Sequence, residues 1–202
     1  MAEDNSVMVV AILAVIASLA AAGISYYSAI SVVPKISAYA SSSGTANLSV
    51  ESLAVINFSD ANINWGSGKV DIGKTHAYLD TRSGTVTNGN WTPDTGLVLD
   101  NIGNVNVSLA LKVGKTAAQF LGGTSPAYKW LVRNADTEPG ACVNVTALDV
   151  FTDTTTSDTT FCNPLQFYEG NNTIRIDINL SVPYDSHKGA LSDVVTATGT
   201  AV

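Results

Sequence analysis

Hydrophobic and polar positions divide this chain into two regions with different periods. From Asn5 through Pro34 there is no Asp, Glu, Lys or Arg, and VMVVAILAVIASLAAAGI inside that span is almost wholly apolar. As an α-helix this stretch would be about 27 Å long, close to the thickness of a bilayer's hydrocarbon core. Val9, Ile12, Leu13, Ile16 and Leu19 share one side, while Val7, Val10, Val15 and Ile24 cover much of the rest. A helix apolar all round must be surrounded, by lipid or by other helices. Asn5 or Ser6 is placed to cap its start, and Glu3 and Asp4 suit the positive end of its dipole. Ile30, Val33 and Ile36 continue a spacing of three, with Pro34 kinking or ending the helix near Val33. The pattern predicts a helical region over 1–40 and a flexible Ser/Gly hinge over 41–45, centred on Ser41–Gly44.

From Ala46 the period changes to two. NLSVESLAVINF reads as one long strand, followed by KVDI, HAYLDT, GLVLDNIGNVNVSLALKV, AYKWLVRN, ACVNVTALDVF, NTIRIDINLSVPY and SDVVTATGTAV. These runs are rich in Val, Ile, Thr and Tyr and are bounded by Gly, Asn, Asp or Pro. Val105, Val107, Leu109, Leu111 and Val113 form one apolar face; Ile174, Ile176, Ile178, Leu180 and Val182 form another. The expected fold class is therefore α+β: a long N-terminal hydrophobic helix, then an all-β, immunoglobulin-like sandwich over 46–202. Asn-Val-Asn-Val-Ser and its variants recur within strands, which strand composition explains without duplication.

Composition narrows the function. Only 13% of the 202 residues are charged, about half the usual share, and the net charge is -7. That balance lacks the basic footprint of a nucleic-acid binder. Cys142 and Cys162 either close a disulfide loop or remain two buried thiols; the extracellular look of the chain favours the disulfide. The sequon N-x-S/T occurs at Asn47, Asn57, Asn106, Asn144, Asn171 and Asn179, and again at Asn90, where a proline follows. Such density makes these asparagines glycosylation candidates on a cell-surface protein. The apolar run lacks the basic flank of a secretory signal. Either a basic leader preceded the mature start or Met1 is numbered as that start.

Candidate chemistry is sparse. His76 and His187 lie far apart without Cys or carboxylates at ligand spacing, and no zinc pattern is present. Asp149, Asp153 and Asp158 flank a Thr-rich loop, but their spacing matches no EF-hand loop. GxSxG, phosphate-loop and dinucleotide patterns are missing. Trp65, Trp91 and Trp130 read as packing residues. The expectation is a non-enzyme with no catalytic residues, no metal and no cofactor.

The acidic start, the uncharged Ala/Val/Ile run over Val7–Val33, the Ser/Gly hinge and the Thr/Asn-rich β region together resemble the archaeal type IV pilin-like proteins, which include adhesive pilins and archaellins. The resemblance covers the whole chain in layout and rests on no fixed motif. Bacterial type IV pilins usually carry Glu at the fifth mature position, where this chain has Asn5. The segment from Val182 through Gly189 to Thr198 is similar to the closing hairpin of many archaeal surface sandwiches. The resemblance implies a clipped leader, helices bundled into a filament core, and β domains forming the outer sheath. The partners it implies are other copies of the chain, the membrane before assembly, and external surfaces. The function expected is a structural subunit of an extracellular adhesive pilus. An archaellin, or a single-helix membrane-anchored adhesion or binding protein, is the alternative. An anchored enzyme is disfavoured by the missing acid, base, nucleophile and metal set.

Overall fold

The alternation of Ile174, Ile176, Ile178, Leu180 and Val182 builds the central strand of a twisted sheet, because each of these side chains points to the same buried face. The structure, a computed structural model, describes residues 12–19, 45, 47–143 and 148–202. It divides into two compact units, Met1–Ser49 and Val50–Val202.

In the first unit, helix α1 covers residues 12–19. This corrects the expected fold class. Among the described residues the N-terminal helix is about 12 Å long, and none is long and apolar enough to cross a membrane. Reading the whole apolar run as one helix rests on hydropathy, and hydropathy does not set helix length. α1 coincides with Leu13, Ala14, Ala17 and Leu19, which have high helix propensity. The expected positions 1–11 and 20–40, and the hinge at Ser41–Gly44, lie outside the described residues.

The second unit is mostly β-sheet. Its elements are β1 (Ile56–Asp60), β2 (His76–Asp80), β3 (Thr85–Thr87), β4 (Leu97–Asn101), β5 (Val107–Val113), α2 (Ala117–Phe120), β6 (Ala127–Asn134), β7 (Thr152–Asp153), β8 (Thr159–Leu165), β9 (Thr173–Pro183) and β10 (Val195–Ala201). Seven strands form one sheet, and β10-β5-β8 form a second. Two sheets among the described residues are compatible with the expected β-sandwich, although seven against three differs from the four against three of an immunoglobulin constant domain.

β9 organises the larger sheet. β6 pairs along one whole edge, from Ala127 opposite Ser181 to Asn134 opposite Ile174. The other edge is shared: β4 pairs with residues 173–176 and β2 with residues 179–183. Asp177 and Ile178 fall at the break between them. There Thr81 restores the lost ladder bonds, its N–H donating to the Ile178 carbonyl (3.0 Å) and its hydroxyl accepting from the Ile178 N–H (2.8 Å).

The chain crosses from the larger to the smaller sheet between Asn101 and Val107. Asn101 is fully buried at that corner. Its amide donates to the carbonyls of Val105 (2.9 Å) and Leu165 (3.3 Å), and its side-chain oxygen accepts from Gly103 N–H (3.1 Å). The inner faces of both sheets join in one core, where Trp130 of β6 meets Phe161 of β8 edge to face at 5.1 Å.

Candidate functional site

The larger sheet is wider than the smaller, and part of its inner face forms the floor of a cleft of about 1270 Å³. Buried Leu79, Leu97, Ile178, Leu180 and Val182 make the floor. Phe58, Trp65, Trp91, Phe120 and Tyr128 supply aromatic walls. Two irregular segments, residues 61–70 and 184–194, provide the rims.

Both rims are tied down by hydrogen bonds. The first is laced to the segment before β4. Thr92 N–H donates to the Trp65 carbonyl (3.0 Å), Lys69 N–H to Asn90 Oδ1 (2.8 Å), and Val70 bridges to Gly89. Trp91 lies so close to Gly68 and Gly89 that a Cβ on either would fall 2.4 Å or 2.8 Å from its ring, so only glycine fits. The second rim is anchored on the turn after α2. His187 N–H donates to the Leu121 carbonyl (2.8 Å), and its ring lies over Gly122, whose φ of 66° suits glycine. Thr124 donates twice to Asp185, from its N–H (2.9 Å) and its hydroxyl (2.8 Å). These two bonds hold the Asp185 carboxyl below its ordinary range.

Among the described residues Trp65 Nε1 is buried without a hydrogen-bond partner, while the Asp193 carboxylate is faced by the Tyr128 hydroxyl. Burial, followed by the neighbouring Asp193 carboxylate, holds the Tyr128 phenol far above its usual range, so Tyr128 stays protonated. The cleft thus combines an apolar floor, aromatic walls and a few polar groups, the usual constitution of a ligand site.

The residues singled out in the sequence are spread over the molecule. Ile12, Leu13, Ile16 and Leu19 lie on α1, with exposures of 49, 60, 57 and 67%; Val9 lies outside the described residues. Cys142 and Cys162 are bonded to each other with their Cα atoms 5.2 Å apart, tying the segment after β6 to β8. Asn47 and Asn57 are exposed. Asn90 is exposed, although its side chain accepts from Lys69. Asn171 is half-buried. Asn106 has its side-chain oxygen buried, and Asn179 donates to Asp80 Oδ2 (2.9 Å). Asn144 lies outside the described residues.

Asp149, Asp153 and Asp158 do not converge. Each faces a separate cation: Arg82, Lys129 at 3.6 Å and Lys112 at 3.3 Å. Among the described residues no three His, Cys, Asp or Glu side chains form a metal-binding group. His76 Nε2 sits against the carbonyls of Thr124 (3.0 Å) and Ser125 (3.2 Å).

Of the three tryptophans, Trp130 is core, whereas Trp65 and Trp91 line the cleft. A signal for that distinction exists in the chain. Both lie in Asn/Gly-rich loops, NWGSG and NGNW, and are partly buried against the core, with Gly68 and Gly89 lying on the Trp91 ring, while Trp130 lies in an apolar strand. No local pattern marks Asp193. Neither a protein-family model, nor a curated protein, nor a solved structure matches this chain.

Proposed function

We propose that this chain is a non-catalytic structural subunit of an extracellular filament of the archaeal type IV pilin-like kind, used for surface attachment. The apolar N-terminal segment is buried against the same segment of neighbouring copies, and the β unit faces outward. The observation that carries this reading is the surface of α1. Its Ile12, Leu13, Val15, Ile16 and Leu19 are 49–67% exposed, within a charge-free run from Asn5 to Pro34. So much contiguous apolar surface is covered in any stable state of the protein. Contacts between copies in a filament are heterologous and open-ended, which suits a segment apolar on every side.

The β unit supports an extracellular setting. Its disulfide belongs to an oxidising compartment. Its polar surface is rich in Thr and Asn rather than in charge, so contacts between β units are weaker per unit area than those between apolar segments. Assemblies therefore persist in high salt, which has few charges to screen. They come apart in hot detergent, which offers the apolar segment another solvent. Sedimentation of native material across a salt series, then with and without heated detergent, tests this. A chain that stays monomeric in every mild-detergent condition is an anchored surface protein instead.

A further inference from the structure

We propose that β10 is a docking edge for a second copy of this chain, whose own β10 pairs with it antiparallel about Thr198. The smaller sheet then runs on across the contact as one sheet shared by both copies.

β10 is an edge of the smaller sheet, paired on one side only. Gly114 N–H donates to the Val194 carbonyl, and Val202 N–H to the Asn106 carbonyl. In an antiparallel ladder such bonds fall on every second residue, so the even-numbered residues bond towards β5. The N–H and C=O groups of Val195, Ala197, Gly199 and Ala201 point the other way and have no backbone partner among the described residues. Folded proteins ordinarily blunt such an edge with charge, proline, a bulge or shortness. Other edge strands here are blunted. β1 has a bulge between Phe58 and Asp60. β3 and β7 have three and two residues. β8 holds Pro164 and shifts register twice against β5. β10 is seven residues long and in unbroken register, with no charged residue and no proline.

The side chains select the occupant. The exposed face of β10 and its flanks reads Val194, Thr196, Thr198, Thr200, Val202. A two-fold contact sets each residue against a fixed mate, so one strand serves both sides where its face reads alike in both directions. This face does. About Thr198, Val194 meets Val202 of the second copy, Thr196 meets its Thr200, and Thr198 meets its own mate. These are the non-hydrogen-bonded pairs, whose side chains stand closer. Val195 then exchanges both backbone bonds with Ala201, and Ala197 with Gly199. Threonine and β-branched pairs of this kind stabilise a sheet, and no like charges meet. The contact also covers Val194 and Val202, which are 67% and 66% exposed. On the other face Val195 and Ala197 pack on the core and Gly199 lies against Ile56, so the strand is fixed before its partner arrives.

The proposal goes beyond the filament reading. Heterologous contacts give a filament one direction, and a two-fold pair reverses it. In filaments the β10 pair therefore joins β units of two filaments side by side, a consequence that rests on that reading. The pairing itself is tested on the full-length chain dispersed with detergent micelles in excess over chains, so the result does not depend on polymerisation. Cys142 and Cys162 are bonded to each other, so an added thiol is the free one. Thr198→Cys sets that thiol on the two-fold axis, with Cα atoms about 4.5 Å apart, within disulfide range. Under mild oxidation it runs as a disulfide-linked dimer on a non-reducing gel. Thr196→Cys alone stays monomeric, because its two thiols lie about 14 Å apart. An equal mixture of Thr196→Cys and Thr200→Cys chains gives the dimer again. Adding Thr198→Lys to both chains of that mixture sets like charges face to face and removes most of the dimer. The three threonines are exposed, and thermal melts confirm that the variants fold. Monomeric Thr198→Cys overturns the proposal. So does equal dimer from Thr196→Cys alone, or a mixed dimer that Thr198→Lys leaves undiminished. None of these outcomes bears on whether native material forms filaments.

Discussion

Arg133 and Asp177 form an ion pair on neighbouring strands, with Nε 2.8 Å from Oδ2 and the Asp177 side chain wholly buried. Asp177 sits where β4 gives way to β2 along the edge of β9. Its other oxygen accepts from the Thr81 hydroxyl (3.2 Å), and Arg133 reaches on to Asp136. Thr81 fills the gap in the backbone ladder, and the Asp177 carboxylate ties Thr81 to Arg133. Removing Asp177 leaves Arg133 with Asp136 alone and takes the buried acceptor from the Thr81 hydroxyl.

Asp177→Ala is therefore expected to destabilise the β unit by about 1–3 kcal/mol, lowering its melting temperature by roughly 2–12 °C. Replacing both partners, as in Arg133→Met with Asp177→Leu, should recover much of the loss, because no orphan charge remains. Calorimetry of the three proteins checks this. A melting temperature for Asp177→Ala unchanged from wild type would show that the pair is dispensable.

The fold should weaken in acid. Hydrogen bonds from the Arg82 side chain lower the Asp149 carboxyl, and bonds from Thr124 lower Asp185, both from an ordinary value of 3.8. A group whose folded value is depressed binds more protons when unfolded. Its contribution is complete above the unfolded value and is lost as pH falls through the folded one. Both groups are exposed, so the effect is screened and modest. Denaturant midpoints should fall as pH drops from about 5 to about 2, and the fall should be smaller in Asp185→Asn. An identical pH profile in that variant would contradict the assignment.

The disulfide gives a third expectation. Cys142 and Cys162 are 20 positions apart, so the bond closes a loop whose constraint on the unfolded chain stabilises by about 2–4 kcal/mol. The double variant Cys142→Ala, Cys162→Ala should lose that amount in chemical denaturation. Peptide mapping under non-reducing conditions that finds both thiols free would contradict the pairing.

Strands with clean alternation were legible in the sequence. The apolar positions of β5 and β9 mark their buried faces, and AYKWLVRN coincides with β6. Other segments departed from their pattern for identifiable reasons. NLSVESLAVINF alternates well enough to read as one long strand, yet only Ile56–Asp60 is a strand. The Asn104 side chain takes the backbone of residues 51–53 out of the ladder, accepting from Leu53 N–H (2.6 Å) and donating to the Glu51 carbonyl (2.8 Å). β8 was hidden in a Thr-rich stretch, because its buried positions, Phe161, Cys162 and Leu165, are not in alternation. Of ACVNVTALDVF, Cys142 makes an isolated bridge to Leu165, and residues 144–147 lie outside the described residues.

Asp177 was illegible for a different reason. It occupies the strand face opposite the isoleucines and so reads as solvated, and only the fold brings Arg133 and Thr81 against it. The cleft likewise assembles residues from positions 58 to 195. The expected long helix is reduced to residues 12–19 among the described residues, since apolarity specifies burial and leaves helix length open.

The central claim concerns assembly through the apolar segment. Ile16 lies mid-way along α1, 57% exposed, and in a filament its side chain would be covered by neighbouring copies. Ile16→Asp would place an unpaired charge in that contact in every subunit. The direct measurement is electron microscopy of native wild-type and Ile16→Asp material, with the thermal melt of the β unit as a folding control. The account predicts fibres of uniform diameter from the wild type, and dispersed subunits with an unchanged melt from the variant. Wild-type material that never forms fibres, or Ile16→Asp fibres in normal yield, would contradict it.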